Sequence, residues 1–119
     1  MAKILVVDDA VFIRLKMKQV LEANGHTVVG EAGDGKEAID KYAIVKPDLV
    51  ILDITMPGMG GIETLEHIRK LDPEARVLIC SALGHQALIA EAIQKGAKNF
   101  VVKPFQDGEL VSAVNAALN

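Results

Sequence analysis

The chain has 119 residues, 50% of them hydrophobic and 24% charged, with a formal net charge of -3. This describes one soluble globular domain, able to bury roughly two-thirds of the surface its unfolded form exposes without disulfides or a structural metal. A basic nucleic-acid face is excluded, because 13 Lys and Arg stand against 16 Asp and Glu, and four aromatics (Phe12, Tyr42, Phe100, Phe105) make no base-stacking platform.

Along the chain, Ile4 to Val7 is the first apolar run and is followed at once by Asp8 and Asp9. Four apolar residues fall far short of a signal-peptide core or a membrane span, so a cytoplasmic location is predicted. Ile13, Met17, Val20 and Leu21 then make a helical stripe closed by Asn24-Gly25, with Arg14, Lys16 and Lys18 read as its solvated face. A second apolar run, Thr27 to Val29, leads to Asp34 and Glu37, spaced as a capping box, and the helix they open must end before Pro47.

Leu49 to Leu52 is the third run, followed by Asp53 and a segment with glycines at 58, 60 and 61 that reads as a flexible loop. Ile62, Leu65, Ile68 and Leu71 form the next stripe, closed by Asp72-Pro73, and Val77 to Cys80 is the fourth run. Cys80, the single cysteine, reads as an inert core thiol and allows no intrachain disulfide. Leu88, Ile89, Ala92 and Ile93 stop at Gly96; Phe100 to Val102 is the fifth run; Asp107 is placed to cap a last helix carrying Leu110, Val111, Val114 and Leu118.

Runs rich in Val and Ile without alternation are strands buried on both faces, as in parallel sheets covered by helices. The second and fifth are short, with Gly30, Glu31, Lys98 and Asn99 beside them, and suit sheet edges. Five strands alternating with five helices give an α/β fold of the (βα)5 type, a doubly wound parallel five-stranded sheet.

In such a sheet every carboxyl end lies on one edge, where ligands bind. Asp8 and Asp9 leave the first run, Asp53 the third, Ser81 the fourth and Lys103 the fifth. Taken singly, the acids and Ser81 are ordinary caps or turn formers and Lys103 is surface charge. Together, three carboxylates repel one another unless a cation intervenes, and an all-oxygen set suits Mg²⁺ or Mn²⁺.

Val7-Asp8-Asp9, Asp53-Ile54-Thr55-Met56-Pro57-Gly58, Cys80-Ser81-Ala82 and Val102-Lys103-Pro104-Phe105 resemble the receiver domain of bacterial two-component response regulators, at matching spacing over residues 1–119. Within that family the likeness is to the stand-alone, CheY-like chemotaxis receivers, and it implies the flavodoxin/CheY-like strand order 2-1-3-4-5. The resemblance implies a monomeric phosphorylation switch rather than an enzyme acting on other molecules. Asp53 is then the phosphoacceptor, and Mg²⁺ is held by Asp9 and Asp53, the backbone carbonyl of Thr55, and Asp8 largely through water. Lys103 and Ser81 contact the phosphoryl group, Lys103-Pro104 is cis, and Phe100, where many relatives carry Tyr, turns inward as Ser81 moves. Implied partners are a CheA-like histidine kinase, a FliM-like flagellar motor switch protein or another downstream target, and a phosphatase, with no nucleic acid or membrane. A receiver in a non-chemotaxis phosphorelay, or a phosphate sink, is the alternative.

Two other classes fit less well. A haloacid dehalogenase-type phosphatase needs an acid two residues after its nucleophile, where Thr55 stands. A flavodoxin-like module needs hydroxyls and amides for the FMN phosphate where Asp8 and Asp9 stand. His26, His67 and His85 show no ligand spacing, and His85 lies nearest the strand-end residues.

Overall fold

The computed structural model describes residues 1–56 and 58–119; Pro57, part of the receiver-like motif, lies outside the described residues. The elements run β1 (Lys3–Val7), α1 (Val11–Ala23), β2 (Thr27–Ala32), α2 (Gly35–Val45), β3 (Leu49–Asp53), α3 (Gly61–Leu71), β4 (Val77–Ala82), α4 (Gln86–Gln94), β5 (Asn99–Lys103) and α5 (Asp107–Leu118). The strands pair in parallel in the order β2-β1-β3-β4-β5. This is the expected (βα)5 sandwich, with β2 and β5 at its edges.

Alternation along each central strand sorts the core into two layers. Ile4, Val6, Ile51 and Leu78 pack with Met17 and Leu21 of α1 and Leu110 and Val114 of α5. Leu5, Val7, Leu52 and Ile79 face Tyr42 of α2, Leu65 and Ile68 of α3 and Ala92 of α4. Because both faces are covered, β3 is buried along its whole length. Each fully buried Leu or Ile contributes on the order of 1.5–3 kcal/mol.

Several expectations need correction. β2 runs on to Ala32, since Gly30, Glu31 and Ala32 pair with Leu5, Val6 and Val7 after a register shift at Ile4/Leu5, and an edge strand tolerates polar residues on its open side. β4 continues past Cys80 through Ser81 to Ala82. Leu71 and Ile93 end their helical stripes exposed to solvent. The last helix is preceded by Gln106, not capped by Asp107: Gln106 is extended, and its N–H donates to Glu109 Oε1 at 2.9 Å. Asp34 does cap α2, accepting from the Glu37 N–H at 2.9 Å, while Glu37 itself reaches back to the Gly33 N–H.

The glycine segment after Asp53 is not simply a loop, because Gly61 already belongs to α3. A Cβ there would lie 2.5 Å from Ile54 Cα and 2.6 Å from the Asp53 carbonyl oxygen, so only glycine lets α3 start this close to β3. Among the described residues no helix is long and apolar enough to cross a membrane.

Candidate functional site

The parallel order brings four strand ends to one edge. Val7 pairs with Leu52, which sets Asp8 beside Asp53; Asp53 pairs with Cys80, and Ala82 with Lys103. Asp8 and Asp53 are buried, whereas Asp9 points to solvent at the rim. The three acids each offer an oxygen, and these lie within 4.8 Å of one another. Lys103 Nζ donates to Asp8 Oδ2 at 2.7 Å and to Asp53 Oδ2 at 3.3 Å. The Lys103–Pro104 peptide is cis.

Each buried carboxylate is also held by backbone. Asp8 Oδ1 accepts from the Ala10 N–H at 2.9 Å, and Asp53 Oδ1 from the Thr55 N–H at 3.1 Å. Burial pushes the Asp53 carboxyl above its ordinary range and the Asp8 charge adds to this, against the opposing pull of Thr55 and Lys103. For Lys103 burial acts downward, but the hydrogen bond to Asp8 and the charges of Asp53 and Asp8 outweigh it and hold the ammonium above its usual range. Three carboxylates against one ammonium leave two formal negative charges on this edge. The group can therefore hold a metal ion, and a hard dication matches both the charge and the oxygen donors.

Of the other expected site residues, Ser81 is fully buried near the end of β4. Its Oγ shares a 2.9 Å hydrogen bond with His85 Nδ1, so the histidine nearest the strand ends does touch the site. Thr55 lies exposed on the loop after β3. Phe100 is not among the acids: it pairs with Ile79 in β5 and is 43% exposed, lining an apolar cleft of about 460 Å³ with His85, Ile89 and Ile93 of the α4 region. Cys80 is buried and its thiol pushed up to about 12 chiefly by that burial, which leaves it the inert thiol expected.

Arg14 departs from the solvated face assigned to it. Its side chain is only 16% exposed, its Nε pairs with Glu31 at 3.0 Å, and its Nη1 donates to the Asp8 carbonyl, pinning the loop that carries both acids. The partner is a main-chain oxygen six residues away, for which the sequence carries no signal. Lys16 of the same stretch is exposed, its ammonium 6.0 Å from the Phe105 ring centroid.

Residues 4–115 match the response regulator receiver domain family. The chain is 50% identical over 113 residues to the chemotaxis protein CheY of Thermotoga maritima, an alignment covering 95% of this chain and 94% of that protein. It is also 50% identical over 117 residues to CheY of Bacillus subtilis, covering 98% of each. Among solved structures it is similar to the CheX-CheY-BeF3-Mg²⁺ complex from Borrelia burgdorferi, with a TM-score of 0.94 and 39% identity over 98% of this chain and 89% of the matched one.

Proposed function

The chain belongs to the response regulator receiver family, and from that premise we propose that residues 1–119 act as one phosphoacceptor switch in chemotaxis signalling. Asp53 takes a phosphoryl group from the phosphohistidine of a CheA-like kinase in the cytoplasm, and the phosphorylated form binds a FliM-like motor switch protein. The observation that carries this reading is the convergence of Asp8, Asp9, Asp53 and Lys103 from three strand ends onto one edge. Cap and turn roles give these residues no reason to meet.

In this reading an Asp53 oxygen attacks phosphorus as the N–P bond of the donor breaks, and the departing imidazole takes up a proton. Burial makes Asp53 more basic than an ordinary carboxylate and strips its water, and both favour it as nucleophile. The Asp53 Oδ1 contact with the Thr55 N–H fixes the rotamer, and the Lys103 ammonium lies 3.3 Å from the other oxygen, placed to follow charge onto the phosphoryl group. Asp8, Asp9, Asp53 and the Thr55 carbonyl would hold Mg²⁺, or Mn²⁺ in its place. When bound, the ion neutralises the carboxylates and the phosphoryl oxygens, the main requirement of phosphoryl transfer. Ser81 hydrogen-bonds the phosphoryl group, and Phe100 carries the change to the surface made by α4, β5 and α5.

Incubation with acetyl phosphate and Mg²⁺ tests the reading. One base-labile phosphoryl mass is expected on the wild type and none on Asp53→Asn; equal labelling of the two would remove Asp53 from this role.

A further inference from the structure

Ser81 carries one hydroxyl, and two neighbours engage it. The ring of His85 meets Oγ at 2.9 Å, and the Ala82 carbonyl lies at 3.3 Å. With the hydroxyl proton turned to Ala82, His85 Nδ1–H donates to Oγ; with it turned to the ring, Nδ1 accepts. Either arrangement commits the hydroxyl to the start of α4.

His85 occupies the residue just before α4, where a side chain ordinarily satisfies the helix's open N–H groups, yet it makes no such bond. Its Nδ1 is turned to Ser81 instead. His85 also lines the cleft that Phe100 lines, so the residue that engages Ser81 borders that cleft as well. Beyond the Ala82 pairing with β5, little is packed around the segment that joins Ser81 to the ring: Leu83 and Gly84 are exposed, no atom lies within 4 Å of a Cβ added at Gly84, and α4 buries only Ala92. Few buried contacts mean a low cost of local movement.

We propose that His85 is a latch on Ser81, a positioning residue that holds the hydroxyl toward α4 until a phosphoryl oxygen on Asp53 claims it. The inference rests on the reading of Ser81 as the group that senses phosphorylation. Switching then exchanges one hydrogen bond for another, and the bond given up opposes the on state. Release also frees the His85 ring to cap α4, altering the wall of the cleft that faces Phe100.

Beryllofluoride, titrated at saturating Mg²⁺ and followed by NMR at Phe100 and Gly84, tests this. His85→Leu keeps bulk against the cleft and removes the nitrogen. The expected result is about fivefold tighter beryllofluoride binding, the worth of one lost competing hydrogen bond. His85→Asn, which places an amide atom near the Nδ1 position, should restore the wild-type value, and His85→Leu should have no effect in a Ser81→Ala background. Unchanged or weaker binding in His85→Leu overturns the latch, as does failure of Asn to restore it. Ser81→Ala alone separates the two readings: if its Phe100 response to beryllofluoride equals the wild type's, Ser81 is not the sensor and the underlying reading fails, whatever His85 does.

Discussion

Lys103 Nζ lies 2.7 Å from Asp8 Oδ2, a contact between residues 95 apart in the chain that ties the end of β5 to the end of β1. The ammonium thus serves the more deeply buried acid first and Asp53, at 3.3 Å, second. A cation entering among the three acids meets a positive charge already leaning on two of them. Lys103→Met should therefore bind Mg²⁺ more tightly, by roughly tenfold or more, since even at the dielectric of bulk water a dication and an ammonium about 5 Å apart repel by about 1.7 kcal/mol. It should also melt lower in EDTA, because Asp8 keeps its burial and loses its counter-ion. Calorimetric titration and thermal melts read both effects, and an Mg²⁺ affinity equal to wild type would place Lys103 outside the electrostatics of the pocket.

Asp9 is the acid on the rim, exposed while its two neighbours are buried. It adds repulsion to the cluster without the desolvation that Asp8 and Asp53 carry. Asp9→Ala should lose Mg²⁺ affinity and with it the stabilisation that Mg²⁺ gives by mass action. In EDTA the same variant should melt no lower than wild type, and Asp9→Lys should melt higher, since its ammonium substitutes for the cation. Asp9→Lys should nevertheless fail to label with acetyl phosphate, because its ammonium brings half the charge of the dication and removes one of the ligands that would hold it. A drop in the EDTA melting temperature of both variants contradicts the repulsion argument.

What the sequence reveals and what it hides divides along the range of the interactions involved. The central strands were legible because burial on both faces demands Val, Ile and Leu at every position, as in Leu49 to Leu52. The acids were legible because strand ends converge by topology, and family membership agrees with the motif resemblance. The far half of β2 was hidden because Gly30 and Glu31 join the sheet through backbone pairing with β1, which asks little of a side chain at an edge. Arg14 and Gly61 were misread for a related reason: one answers to a carbonyl and the other to a close backbone approach, and neither leaves a pattern in residue types. The Gln106 and Glu109 pair at the last helix was readable from its spacing, but Asp107, intrinsically the better cap residue, drew the assignment.

Burial dominates the balance at Asp53 and raises its carboxyl above the ordinary value of 3.8. A carboxyl whose folded value is raised weakens the fold when ionised. The loss is absent below the unfolded value, where both states are protonated, grows as pH rises through the folded value, and is constant above it. Asp53→Asn stays neutral throughout, so in EDTA it should be more stable than wild type at pH 7, with the gain shrinking as pH falls toward about 4. Added Mg²⁺ should reverse the order by stabilising only the wild type. Paired melts across pH in EDTA check this, and a gain that grows on acidification has the wrong sign for the proposed cause.

Gly61 offers a test of how the loop after β3 is positioned. The atoms an added Cβ would meet, Ile54 Cα and the carbonyl oxygens of Asp53 and Ile54, are all backbone at 2.5 to 2.8 Å, so relief requires α3 to shift away from the residue that carries the site. Gly61→Ala should lose about 1–3 kcal/mol, as overpacked sites do, and label more slowly with acetyl phosphate. Gly60→Ala is the control: no atom lies within 4 Å of its added Cβ and its φ of -71 suits any residue, so a change within about 0.5 kcal/mol is expected. Equal effects of the two substitutions would show that the close approach at Gly61 does not position the loop.

Capture of the phosphoryl group and its read-out should be separable, because different residues hold them. In the proposed switch Asp53 supplies the nucleophile and the acids the metal site, whereas Ser81 is engaged by His85 and Lys103 leans first on Asp8. Ser81→Ala and Lys103→Arg should accept phosphate from acetyl phosphate, more slowly than wild type, yet fail to propagate the change to Phe100. Lys103→Arg is severe although it keeps the charge, since a planar guanidinium cannot replace a compact ammonium bridging oxygens at 2.7 and 3.3 Å. Because the chain has no Trp, NMR of the Phe100 ring is the suitable reporter. The expected result is mass labelling in all three proteins, with Phe100 shifts on beryllofluoride addition only in the wild type. Shifts confined to the surroundings of Asp53 in the wild type as well would leave a phosphate sink in place of a switch.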